Sequence, residues 1–309
     1  MIRVAVIGVG SLGVHHARIY HQLPGVQLVG VCDRLVERAR AVAGQFGTGF
    51  FVNPEDLLGQ VDAVSLVVPT IHHGALGELF LRSGVHVLVE KPITASREEG
   101  QRLVEAAAEA SRVLQVGHLE RFNPAVTAIR DQITRPRFFE GHRLSVFQPR
   151  SLDVDVVLDL MIHDLDLVLS MVKSEIEQVH AIGIPVLSPK IDIANARIQF
   201  CNGCVANLTA SRVSDVKVRK LRFFQPSDYI SIDFMSRESE IVSLSPVSGG
   251  TFPRLERGKI TGSREEPLQL ELKAFLDTIE GRRPNPCTGE DGLRALDAAL
   301  RVLQEMKTG

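Results

Sequence analysis

Three groups of residues in this chain have the types and spacing to do chemistry. The first is Gly8-Val9-Gly10-Ser11-Leu12-Gly13, placed directly after a Val-rich run. Glycine at the first position permits a tight turn. The second glycine lets a pyrophosphate approach the backbone, and the third lets a helix pack on a strand. The helix that opens there offers N–H groups and a partial positive charge to phosphates. Asp33 ends the next Val-rich run, about 20 residues beyond Gly13, where a carboxylate can accept the ribose hydroxyls of NAD. Arg34 could neutralise a 2′-phosphate, which keeps NADP open. The second group is Glu90-Lys91-Pro92 at the end of another apolar run. A lysine over that rim could donate a hydrogen bond to a reacting alcohol or take its proton. A plain surface lysine is the alternative. The third group is Asp159, His163 and Asp166, whose i, i+4, i+7 spacing puts them on one helix face. Asp159 could fix the tautomer of His163 and stabilise its cation, making His163 a general base. A solvated amphipathic face is the alternative here.

Other residues carry weaker signals. Cys201-Asn202-Gly203-Cys204 is a CxxC, but Asn-Gly between two strand-like runs signals a type I′ hairpin rather than zinc. No metal site is expected. His15 and His16 read as packing or solvent residues of the helix after the glycine loop. Arg135, Arg137, Arg143 and Arg150 read as strand-surface charges. Arg212, Arg219 and Lys220 could meet a phosphate.

These groups need elements to hold them. Continuous apolar runs at 2–7, 26–32, 61–68, 85–89 and 113–116 suit strands buried on both faces. Helical stretches at 35–46, 72–82 and 97–110 alternate with them. Asn53-Pro54 and the Ser96/Glu99 pair mark helix starts. That alternation predicts a doubly wound parallel sheet. After about residue 135 strand-like runs follow one another, at 137–147, 176–186, 191–200, 204–211, 216–224, 229–234 and 240–244. One helix at 157–172 interrupts them. A mostly antiparallel sheet follows from this pattern. Two amphipathic helices are expected at 268–280 and 291–306. The stretch 245–265, rich in Gly, Ser, Pro and charge, reads as a mobile loop. The division expected is a Rossmann domain at 1–120 and an α+β domain at 121–309.

The 309 residues carry 35 basic and 37 acidic side chains, a net charge of −2, with 44% hydrophobic residues. This is the balance of a folded globular protein, and it gives no reason to expect nucleic-acid binding. Four cysteines are too few for a disulfide scaffold. No apolar stretch is long enough to span a bilayer, and the N-terminus lacks a leader pattern. A cytoplasmic protein without membrane partners is expected.

Together, the glycine loop, Glu90-Lys91-Pro92 and Asp159-x3-His163 resemble the Gfo/Idh/MocA oxidoreductase family. Pro69 and His72, and Arg121-Phe122-Asn123-Pro124, extend the resemblance over essentially the whole chain. It implies a Rossmann domain followed by a domain with a large open sheet, and NAD(P)-dependent chemistry at a sugar or polyol carbon. By the family pattern Lys91, Asp159 and His163 are catalytic. Gly8, Gly10, Ser11, Leu12, Gly13, Asp33, Arg34, Pro69, His72, Glu90 and Lys91 would contact the cofactor. Lys91, Arg121, Asn123, His163 and Arg212 would contact substrate. The chain departs from many members at Val156-Val157-Leu158, where they carry a glycine-rich stretch. A narrower resemblance, to the UDP-N-acetylglucosamine 3-dehydrogenase group, rests on 116–124, 159–166 and 206–212. It implies oxidation of a UDP-sugar to its 3-keto form, followed by a PLP aminotransferase in the synthesis of a 2,3-diamino sugar for lipid A. Other readings are a family dehydrogenase for inositol, a free sugar or a UDP-sugar acid, an NAD-dependent glycosidase, or a non-enzymatic NAD-binding regulator. A second domain with an exposed sheet face predicts a homodimer or homotetramer.

Overall fold

The structure is a computed structural model that describes residues 1–148, 154–245 and 254–307. The chain forms two compact units. In the first, strands β1 (Ile2–Ile7), β2 (Val26–Cys32), β3 (Gly49–Phe51), β4 (Ala63–Leu66), β5 (His86–Glu90) and β6 (Leu114–Gly117) build a parallel sheet. Its order is β3-β2-β1-β4-β5-β6. The helices are α1 (Gly13–Gln22), α2 (Val36–Phe46), α3 (His73–Arg82) and α4 (Arg97–Ala110). Helices after the strands cover both faces, so the central strands are mostly apolar: all four residues of β4 are buried, and its one polar side chain, Ser65, pairs with the Tyr20 hydroxyl at 2.8 Å. Ser96 caps α4, its hydroxyl accepting the Glu99 N–H at 3.3 Å. Asn53-Pro54 opens only a short 3₁₀ turn, Pro54–Leu57. The edge strand β3 is only three residues long and mostly exposed, too short for the pattern of apolar runs to mark it.

The second unit begins at Glu120, and its first elements include the short helix α5 (Pro124–Thr127) and β7 (Phe138–Leu144). A π-helical turn at Val157–Met161 leads into α6 (Ile162–Val172). The expected single α-helix over 157–172 is thus two segments. Strands β8 (Ile176–Ile184), β9 (Ile193–Phe200), β10 (Val205–Ser211), β11 (Val218–Gln225), β12 (Asp228–Asp233), β13 (Glu238–Ser245) and β14 (Arg254–Thr261) follow. They form an eight-stranded sheet, β14-β13-β12-β11-β7-β10-β9-β8, antiparallel except between β7 and β10. Strand β14 corrects the expected loop at 245–265. Arg254-Leu-Glu-Arg-Gly-Lys-Ile-Thr261 is almost wholly exposed, and its charges suit an edge strand. Residues 246–253 of that stretch lie outside the described residues.

The last two helices are α7 (Pro267–Ile279) and α8 (Gly289–Lys307). Leu268, Leu272, Phe275 and Leu276 of α7 share a buried cluster with Val4, Val6, Ile19 and Tyr20. Residues 266–296 therefore belong to the first unit, whereas the sequence reading placed all of 121–309 in the second. No helix among the described residues is long and apolar enough to cross a membrane.

Candidate active site

The strand order of the first sheet reverses direction beside β1, between β1 and β4. Ligands of open α/β sheets bind at the carboxyl end of such a switch. A cleft of about 440 Å³ opens there. Its walls include Gly8 and Gly10 after β1, Asp33 and Arg34 after β2, and Val67, Val68, Pro69 and His72 after β4. Gly8 has φ +87°, and a Cβ there would lie 2.3 Å from the carbonyl oxygen of Val67. At Gly13 a Cβ would lie 1.9 Å from the Gly8 oxygen, so helix and strand ends touch there. At Gly10 it would meet nothing within 4 Å. Gly10 therefore leaves its backbone open to the cleft, as a pyrophosphate contact needs. Ser11 and Leu12 are exposed in the turn before α1.

Asp33 is buried at the end of the cleft. It accepts the N–H of Val9 at 3.1 Å and of Leu35 at 2.9 Å, and Arg38 Nη1 stands 3.4 Å away. These contacts hold the carboxylate in one orientation at the cleft wall. The Cys32 thiol in the same cleft is pushed up to about 12, by burial first and then by Asp33 and Asp56, so it stays neutral. The glycines, the switch-point cleft and the oriented carboxylate fit NAD.

Glu90 ends β5, and Lys91 and Pro92 follow it, joined by a cis peptide. Lys91 is half-buried. Glu90 Oε1 lies 3.1 Å from Nε2 of His16, a fully buried residue of α1. Opposite Glu90 on β6 is Gly117, where a Cβ would stand 3.0 Å from the Glu90 carboxylate. Glycine there leaves room for that carboxylate. His16 thus belongs to the Glu90-Lys91 site, not merely to helix packing. The signal was its place one helical turn past Leu12, on the buried face of α1.

In the second unit, Asp159 lies on the π-helical turn and His163 on the first turn of α6, both half-buried. Such turns add a residue per turn and recur at functional sites. Asp166 departs from the expected stripe. It is buried and accepts Arg121 Nε at 2.8 Å and Nη2 at 2.6 Å.

Three side chains expected at substrate are engaged by the chain itself. Arg121 holds Asp166. Asn123 caps α5, accepting the Ala125 N–H, and donates to Glu120 and to the Phe234 carbonyl. Arg212 is buried, 3.2 Å from Asp192, and donates to the carbonyls of Val154 and Ile191. Arg143 is not the strand-surface charge expected of it. It is 1% exposed, paired with Asp164 and Glu120. Arg135 and Arg137 are exposed as expected, and Arg150 lies outside the described residues. The Cys201–Cys204 stretch is a turn of a different type. The Gly203 N–H donates to Phe200 and Gly203 alone has positive φ, a three-residue loop rather than type I′. All four cysteines are free thiols. Among the described residues no cluster of His, Cys, Asp or Glu could hold a metal.

Residues 2–118 match the Gfo/Idh/MocA oxidoreductase family, NAD-binding Rossmann fold, and residues 125–224 match the Gfo/Idh/MocA C-terminal domain. The chain is 40% identical over 302 residues to the UDP-N-acetylglucosamine 3-dehydrogenase of Acidithiobacillus ferrooxidans, covering 97% of this chain and 96% of that one. A solved structure of that enzyme superposes with a TM-score of 0.93, covering 99% of this chain and 98% of the other. The scyllo-inositol 2-dehydrogenase (NAD(+)) of Bacillus subtilis is 31% identical over 331 residues, covering 100% of this chain and 95% of the relative. The WlbA dehydrogenase of Bordetella pertussis, solved with NADH and UDP-GlcNAcA, shares the fold at 19% identity and a TM-score of 0.81, covering 100% of this chain and 97% of WlbA. The first unit is an NAD-binding Rossmann domain, and the chain belongs to the Gfo/Idh/MocA family of oxidoreductases.

Proposed function

We propose that this enzyme oxidises the C3 hydroxyl of UDP-N-acetylglucosamine to the 3-keto sugar with NAD as acceptor. The observation that carries this reading is the 40% identity, over 97% of the chain, to a relative named for that reaction. Lys91, Asp159 and His163 are proposed as its catalytic residues. Bound in the cleft of the first unit, NAD would supply the acceptor for the C3 hydride. Lys91 or His163 takes the hydroxyl proton, and Asp159 supports the His163 cation. General base help of this kind gives about 10²–10⁴-fold. Arg121, Asn123 and Arg212 would act by holding the elements around the substrate. The 3-keto product suits a PLP aminotransferase, which would install an amine for a 2,3-diamino sugar of lipid A. The outer face of the eight-stranded sheet leaves Phe224 and Ile182 exposed, which supports a homodimer or homotetramer.

The test is NADH formation by the purified protein with UDP-N-acetylglucosamine, UDP-sugar acids, free sugars and inositols. An aminotransferase with glutamate draws off the keto product. Turnover confined to UDP-N-acetylglucosamine, and lost in Lys91→Ala and His163→Ala with NAD binding intact, is expected. Turnover only with a polyol or free sugar would overturn the substrate assignment. Unchanged turnover in either variant would remove that residue from the mechanism.

A further inference from the structure

His73 opens α3 and is buried, with 1% of its surface exposed. Its ring stands between two main-chain carbonyls. Nδ1 lies 3.0 Å from the oxygen of Pro92, and Nε2 lies 2.9 Å from the oxygen of Val68. Neither oxygen can donate, so each bond needs a hydrogen on the ring nitrogen. A neutral imidazole carries one N–H and the imidazolium carries two. One ring therefore satisfies both carbonyls only when it is protonated.

The two carbonyls belong to two working edges of the first unit. Val68 lines the cofactor cleft, and Pro92 directly follows Lys91. We propose that His73 is a positioning residue for Lys91. Its ring ties the Lys91-Pro92 segment to the cleft wall at Val68, and the tie is complete in the imidazolium form. This role rests on the reading of Lys91 as the group that meets the reacting hydroxyl.

The surroundings set when the second bond forms. Burial is the larger influence and disfavours the cation. The carbonyls of Val68 and Pro92 and the carboxylate of Glu90 oppose it, and the net effect holds His73 below the ordinary histidine value. Glu90 comes from the end of β5. Glu99 of α4 packs on Gly74, next to His73, where a Cβ would lie 3.3 Å from its side chain. His72 on the same helix is exposed. Lys91 precedes Pro92 in the chain and adds a cation to that segment. Near neutral pH the ring is thus a single donor and holds one of the two carbonyls. Acidification adds the second N–H and closes the bridge.

The experiment compares the wild type, His73→Leu, His73→Gln and Lys91→Ala as full chains. Nitrogen-15 NMR of the histidine rings without cofactor, with His73→Gln assigning the signal, follows the His73 nitrogens as pH is lowered. Both nitrogens should become donors below the ordinary histidine range while the fold persists. In turnover assays with UDP-N-acetylglucosamine, His73→Leu should lower kcat about 10–100-fold, the scale of a misplaced group, with NAD affinity within about threefold. His73→Gln retains an N–H donor and should recover most of kcat while losing the acid-side inflection of the wild-type profile. A ring that stays neutral until acid unfolding overturns the imidazolium bridge. An unchanged kcat in His73→Leu, with Lys91→Ala inactive, overturns the positioning role alone. Full turnover in Lys91→Ala overturns the reading of Lys91 and the role of His73 with it. Should His73→Leu fail to fold, the Gln variant and the wild-type ring signals decide the matter.

Discussion

Arg143 on β7 and Asp164 on α6 meet as a two-pronged ion pair, Nε to Oδ2 at 3.0 Å and Nη2 to Oδ1 at 2.7 Å. The remaining prong, Nη1, donates to Glu120 at 2.8 Å, and the guanidinium lies over the Phe234 ring, 5.2 Å from its centroid. Burial disfavours the charge, but Asp164 and Glu120 outweigh it and hold the arginine above its ordinary value. Arg121 grips Asp166 in the same two-pronged way. Asp164 directly follows His163 in the chain, and Asp166 lies within the next helical turn. The helix that presents His163 is thus pinned at both acids.

Breaking one pair should be costly. Arg143→Met strands two buried carboxylates, and losing one partner of a buried pair costs about 3–5 kcal/mol. The urea midpoint of the isolated protein should fall accordingly. Adding Asp164→Asn to that variant should recover part of the loss, because one uncompensated charge is removed. A single variant with the wild-type midpoint would show that the pair adds nothing to the fold.

Much of this architecture is written in local pattern. Buried parallel strands must be largely apolar on both faces, so β1 and β2 stand out as Val-rich runs with their true ends, interrupted only at Arg3 and Gln27 near their starts. The glycine loop is equally plain, because backbone contact at Gly8 and Gly13 leaves no room for a side chain. Arg143 was hidden by its type. The alternation Phe139-Gly141-Arg143 places it on the core face of β7, yet an unpaired arginine belongs outside, and its partner Asp164 sits on another element. The π-helical turn was hidden because Val156, Val157, Leu158, Leu160, Met161 and Ile162 make nearly every position there apolar, so the rotation of about 100° that one extra residue adds leaves no mark on the pattern. Strand β14 was hidden because an exposed edge strand has the composition of a loop. Amphipathic α7 shows which face is buried, but nothing in its own residues says which core it joins.

Asp192 gives a pH dependence. It is buried, and its carboxylate accepts the N–H of Val186 at 2.8 Å, Leu187 at 2.7 Å and Ser188 at 2.9 Å, and the Ser188 hydroxyl at 2.7 Å. Burial alone would raise it. The donors outweigh burial and lower it from 3.8 to about 2. A folded value below the unfolded one stabilises the fold above the unfolded value, and that contribution disappears as pH falls through the folded value. Asp192→Asn should therefore be less stable than wild type near neutral pH, with the gap closing between about pH 4 and about pH 2. Denaturant unfolding across that range checks it. A gap independent of pH would show that the charge of Asp192 does not contribute.

The three glycines of the first loop should separate fold from ligand. A methyl at Gly8 or Gly13 collides with backbone, 2.3 Å from Val67 O and 1.9 Å from Gly8 O, whether or not cofactor is present. Gly8→Ala and Gly13→Ala should therefore lower the melting temperature of the cofactor-free protein. At Gly10 the methyl meets no protein atom within 4 Å and enters the cleft instead. Gly10→Ala should melt like the wild type yet bind NAD at least about tenfold more weakly, roughly 1.4 kcal/mol. Asp33→Ala should weaken NAD to a similar or greater degree, since a hydrogen bond to a charged group contributes about 1.5–3 kcal/mol. Calorimetric titration of the four variants beside their melting curves gives both readouts. Wild-type NAD affinity in Gly10→Ala would mean that the pyrophosphate does not pass over this glycine, and the cleft would need a different orientation of the dinucleotide.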